Sequence, residues 1–182
     1  TGKMFACEHD DVVPDILVLG KALGGGMLPI AAAICHSDHD VAGAFSIGHY
    51  THEKNPITTR AALTTINIVE EEGLVENAAR VGAFALERLN DMKSRHLLIG
   101  DVRGRGLLLG LDLVGDRDSK EPAKDAAEAI YYRALEAGLS FKLTMGNVIS
   151  LSPPLVITEK EIHKALDIIE DALSDVEKEG VR

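Results

Sequence analysis

An apolar run of strand character, Ile16-Leu17-Val18-Leu19, breaks at Gly20 into Lys21 and a glycine loop, Gly24-Gly25-Gly26, before a second apolar run from Ile30 to Cys35. Unbroken apolar segments of this length predict short buried strands of a parallel or mixed sheet rather than of a sheet with one wet face. Lys21 then stands at the carboxyl end of a strand, where open α/β sheets place their ligands. A desolvated lysine loses its proton more easily, and the neutral amine attacks carbonyls. The pattern therefore points to a Schiff-base lysine, against the plainer reading of a surface lysine that follows a strand.

The rest of the chain is compatible with a folded, water-exposed enzyme. With 46% hydrophobic residues in 182, it has the material for a core, either as one domain or as part of a larger one. The formal charge of -10 argues against nucleic-acid and anionic-membrane partners, because both require clustered Lys and Arg, and here the basic residues are scattered among acids. No apolar stretch is long enough to span a bilayer or to form a secretory leader. Two cysteines, Cys7 and Cys35, do not make a disulfide scaffold, so a reducing cytoplasm is expected.

Further along, Asn55-Pro56 supplies a helix cap followed by proline at the first helical position, and the helical pattern from Ile57 to Glu71 closes at Gly73. Leu74 to Ser94 repeats apolar residues at helical spacing and predicts a second helix. Gly100 to Gly106 leads into a strand over Leu107 to Val114. A helix over Pro122 to Ala137 follows, then strands over Leu139 to Leu143 and Val148 to Leu151. Thr158 and Glu161 form a capping box with Ile157 as a staple, opening a helix whose stripe runs from Ile162 to Val176. This punctuation divides the chain into 1–96 and 97–182.

Two nucleotide motifs fail at the glycine loop. No glycine stands at P-loop distance before Lys21, and Ala22 replaces the Mg²⁺-binding hydroxyl residue; Pro29 occupies the last glycine of a dinucleotide fingerprint. What the loop does allow is close approach of a planar cofactor to the backbone. The segment His49-Tyr50-Thr51-His52-Glu53-Lys54-Asn55-Pro56 runs into a helix N-terminus, where backbone N-H groups and a Thr hydroxyl suit a phosphate. His49, His52 and Glu53 are too few for a metal shell, as are Cys35, His36 and His39, so no metal site is expected. His9, His96 and His163 read as ordinary surface residues.

Several segments in order carry a family resemblance: Thr1-Gly2-Lys3-Met4-Phe5-Ala6, Pro14-Asp15-Ile16-Leu17, Gly20-Lys21-Ala22-Leu23-Gly24-Gly25-Gly26, Leu28-Pro29, Thr51 with Asn55-Pro56, Gly100-Asp101-Val102-Arg103-Gly104-Arg105-Gly106-Leu107, and Ser152-Pro153-Pro154-Leu155. Together they resemble the class III, ornithine-aminotransferase-like, pyridoxal-phosphate-dependent enzymes. The resemblance implies an α/β fold of type I, with this chain holding the end of the large mixed-sheet domain and the small α+β C-terminal domain. It implies pyridoxal 5'-phosphate as cofactor, bound by Lys21 as the internal aldimine, with Lys21 also shuttling the proton at the substrate's alpha carbon. Thr51 would bind cofactor phosphate across the interface of a homodimer, and Arg103 and Arg105 would be structural or face the dimer. Amine and keto-acid substrates are expected.

The same resemblance also implies an incomplete site. The family's aspartate for the pyridine nitrogen and its phosphate loop would lie ahead of Thr1, and a chain bounded by Thr1 and Arg182 fits trypsin-like cleavage of a longer protein. Many relatives place an arginine for the substrate carboxylate where this chain has Ser150. Transamination is therefore expected first. Racemisation of the amino-caprolactam type or decarboxylation of the dialkylglycine type, in enzymes that share these motifs, is the alternative, and an inactive fragment is a third outcome.

Overall fold

The computed structural model describes residues 1–45, 48 and 50–181, which divide by packing into two units. One is Phe5–Leu74; the other joins Thr1–Met4 to Val75–Arg182. The division falls at Leu74, ahead of the boundary expected near residue 97. The reason is that the second long helix buries its apolar face in the C-terminal unit.

In the unit Phe5–Leu74, strands β1 (Ile16–Leu19) and β2 (Ala32–Cys35) form an antiparallel ladder with Ile16 opposite Cys35 and Leu19 opposite Ala32. A 3-10 turn, Lys21–Gly24, follows β1, and helix α1 (Pro56–Glu71) packs against that turn. The Asn55 side chain accepts hydrogen bonds from Ile57 N at 2.9 Å and Thr58 N at 3.4 Å, satisfying helix donors that would otherwise lack partners. Asn55→Ala should cost about 1 kcal/mol, and Asn55→Gly only a few tenths, in urea unfolding; equal losses would contradict the cap.

The C-terminal unit is a two-layer α/β arrangement. Helix α2 (Leu74–Arg95) leads into β3 (Ile99–Arg105) and β4 (Leu108–Leu113), helix α3 (Lys124–Glu136), β5 (Lys142–Thr144), β6 (Val148–Leu151) and helix α4 (Glu159–Glu179). The four strands form one antiparallel sheet in the order β3-β4-β6-β5. Alternation along β4 buries Leu109, Leu111 and Leu113 against the three helices, while Leu108, Gly110 and Asp112 point to the other face. The α4 stripe is buried at Ile162, Leu166, Ile169, Ala172, Leu173 and Val176, and Thr158 and Glu161 exchange both bonds of the capping box.

Three local expectations change. β3 begins at Ile99 and includes the segment read only as a lead-in; a register shift between Ile99 and Asp101 accompanies Gly100, where an added Cβ would meet Val114 Cγ2 at 2.7 Å. The strand expected from Leu139 starts at Lys142, because Leu139 N donates to Ala134 O (2.8 Å) and Gly138, at φ +88°, closes α3 in a Schellman turn. His96 is a buried residue, 6% exposed, and not a surface one. Its Nδ1 lies 2.8 Å from Glu177 Oε2 on α4, and the same carboxylate accepts from Leu98 N at 3.0 Å.

Candidate active site

Lys21 is the first residue of the 3-10 turn, follows extended Gly20 and occupies a left-handed backbone conformation, φ +51°. That conformation is costly for a side chain with a Cβ and persists only where its surroundings enforce it. The turn is closed by Leu23 N to Gly20 O (3.1 Å) and Gly25 N to Ala22 O (2.9 Å), and Gly25 and Gly26 continue it at φ +70° and +74°. Nothing lies within 4 Å of a Cβ built on Gly26, so the backbone there is open to a flat group.

The side chain of Lys21 is exposed, and so is one face of β1, with Ile16 58% and Val18 74% exposed. The expectation of a buried strand is thus not met within this chain: only β2 pairs with β1 among the described residues. Thr51 is exposed on the turn 51–54, where Glu53 N donates to Tyr50 O at 3.2 Å, and the turn leads directly into the capped N-terminus of α1. Lys21 and Thr51 therefore belong to the same unit, one on the turn that α1 packs against and one on the turn that starts α1. His49 lies outside the described residues. Among the described residues, no group of three or more His, Cys, Asp or Glu side chains is placed to hold a metal ion.

In the C-terminal unit, Ser150 sits on β6 opposite Lys142 and Gly110, and its Oγ lies 2.8 Å from Thr144 Oγ1. Arg103 donates to Asp101 at 2.9 Å and to Asp112 at 3.3 Å. The Arg103 hydrogen bond is the main cause that holds the Asp101 carboxyl below its ordinary range, opposed by partial burial and assisted by the charge of Lys93.

An exposed primary amine on a glycine turn fits a cofactor that carries an aldehyde, and an exposed hydroxyl beside backbone donors fits its phosphate. The fold is that of the pyridoxal-phosphate-dependent transferases of fold type I: 96% of the chain superposes with a TM-score of 0.82 on 42% of the acetylornithine aminotransferase from Elizabethkingia anophelis, at 35% identity. The chain belongs to the class III aminotransferase family, whose sequence profile matches residues 1–173.

Among curated relatives, the chain is 47% identical over 98% of its length to (R)-1-hydroxy-2-aminoethylphosphonate ammonia-lyase of Vibrio splendidus, covering 37% of that protein. It is 44% identical over 98% of its length to leucine/methionine racemase of Thermococcus litoralis, covering 40%. The chain thus spans about two fifths of the length of the relatives it matches. No helix of the described residues is long and apolar enough to cross a membrane.

Proposed function

We propose that this chain carries the lysine-bearing part of a pyridoxal-phosphate-dependent aminotransferase that moves an amino group from an amino acid or omega-amine to a keto acid. The observation that carries the reading is Lys21, an exposed amine on a glycine turn at the carboxyl end of β1 in a class III chain. Lys21 Nζ would hold the cofactor and would take and return the proton at the substrate's amine-bearing carbon. When bound, pyridoxal phosphate supplies the electron sink that makes the bonds at that carbon labile. The Thr51 hydroxyl would hold the cofactor phosphate of a second copy of the chain in a homodimer. Residues 1–96 hold the end of the large domain together with its connecting helices, of which α2 packs into the C-terminal core, and 97–182 form the small domain. The two free cysteines, Cys7 and Cys35, suit a reducing cytoplasm.

A second reading has its own support. The 47% and 44% identical relatives are an ammonia-lyase and a racemase, above the 35% of the acetylornithine aminotransferase structure. Racemisation uses the same lysine and the same proton abstraction, and differs in where the proton returns.

The test is to incubate the full-length protein with ¹⁵N-labelled amino donors and keto acids in D₂O. Transamination predicts ¹⁵N in the product amino acid. Deuterium at the alpha carbon with loss of optical rotation and no ¹⁵N transfer would replace it with racemisation, and ammonia release with a new carbonyl would replace it with the lyase reaction.

A further inference from the structure

The strained conformation of Lys21 persists only where its surroundings enforce it, and the surroundings of its turn are Ile30 and helix α1. On one side the turn is closed by Ile30, whose Cγ2 lies 3.2 Å from where a Cβ on buried Gly24 would stand. On the other side stands α1. A Cβ added at Gly25 would stand 3.0 Å from Thr65 Oγ1, tighter than an ordinary contact, so the turn can lie this near α1 only because residue 25 has no side chain. Thr65 is itself fixed, because Oγ1 donates to Ala61 O at 2.9 Å and this bond holds its rotamer on the helix. Gly25 in turn is tied to Ala22 O through its N-H, one residue from Lys21.

We propose that Thr65 is a positioning residue for Lys21: its hydroxyl is the stop against which the Gly24–Gly26 turn closes, and through that turn α1 sets the left-handed backbone of Lys21. The inference rests on the reading of Lys21 as the cofactor lysine. It also explains why a polar residue occupies this half-buried place on α1, between Ala61 and Ala62 and the apolar Val69. Thr65 touches no reacting atom; it acts on the lysine only by placing it, and misplacement of a reacting group by about 1 Å costs on the order of 100-fold in rate.

The experiment uses full-length protein with Thr65→Ser, Thr65→Val and Thr65→Leu. Ser keeps Oγ1, Val puts a wider methyl in its place, and Leu pushes the turn outward. Two quantities are read. One is the rate at which added pyridoxal phosphate becomes fixed to Lys21 on borohydride reduction; the other is amide hydrogen exchange at Leu23 and Gly25 without cofactor. Thr65→Ser should match the wild type in both. Thr65→Val should slow labelling and speed exchange by a few-fold, and Thr65→Leu by roughly tenfold or more, with thermal unfolding following no such order. If Thr65→Leu does not fold, the Ser and Val pair decides.

Equal labelling and exchange across the series would overturn the proposal, as would Ser behaving like Leu. A wild-type protein that is labelled elsewhere than Lys21 would instead overturn the reading of the lysine on which the proposal rests, a result distinct from a flat series with Lys21 labelled.

Discussion

Replacing Lys21 with alanine in the full-length protein should abolish turnover, by at least about 10³-fold, and remove the visible absorbance of the lysine-bound cofactor while leaving the fold intact. The size follows from the two tasks that one amine performs. Proton transfer by a positioned side chain contributes on the order of 10² to 10⁴, and loss of the covalent link removes the exchange by which the substrate amine displaces a bound one. The fold should survive because Lys21 is exposed, and Ala22, Leu23 and Gly24 hold the turn through backbone bonds to which the side chain contributes nothing. Alanine also retains the strained φ of +51°, so the loss is chemical and not a release of the turn. Absorbance and initial rates check this directly. A Lys21→Ala protein that keeps the absorbance and more than a few per cent of the rate would show that another amine does the work.

The largest effect on stability is expected at Gly82. This glycine sits inside α2, where it costs about 1 kcal/mol relative to alanine, so on helix propensity alone Gly82→Ala should stabilise. The packing decides otherwise. A Cβ at Gly82 would stand 2.1 Å from the carbonyl carbon of Gly106 and 2.2 Å from its oxygen, and both are backbone atoms that no rotamer change can move. Gly106 is pinned in turn, at φ +54° with Thr1 packed 2.5 Å from its own Cβ position. The β3–β4 turn, α2 and the N-terminal residues therefore meet backbone to backbone. Gly82→Ala should destabilise by about 3 kcal/mol net, the upper part of the range for overpacking. Gly43→Ala, where a Cβ would meet nothing within 4 Å, should stay within about 0.5 kcal/mol. Urea unfolding of both variants decides, and a Gly82→Ala protein as stable as the control would contradict the close approach.

What could be read from the sequence was what local chemistry writes. Asn55-Pro56 and Thr158 with Glu161 start their helices as expected, because caps are satisfied within four residues. The class III motifs located the family because their order survives along the whole chain. Where structure and local pattern differ, the deciding partner lies far away in sequence or leaves no local signal. His96 looked like a surface residue because the carboxylate that receives it, Glu177, lies 81 positions later on α4. β3 hid behind Gly100 and Gly104, which a pattern reading scores as punctuation, whereas here each marks a tight approach to β4 or to Val114. Gly82 lies inside the helix expected over Leu74 to Ser94, and nothing in its local pattern signals the close approach to Gly106. At Lys21 the sequence indicated the place but not the strain. The continuous apolar run suggests burial of β1, yet Val18 is largely exposed, and the left-handed φ of Lys21 falls beside a turn whose Gly25 leaves room for Thr65, a residue 40 positions later on α1.

The most direct test of the lysine assignment is to add pyridoxal phosphate to the full-length protein, reduce with borohydride, digest, and map the modified peptide by mass spectrometry. The account predicts one phosphopyridoxyl group, on Lys21. Modification of a different lysine, or a protein left unmodified, would contradict it.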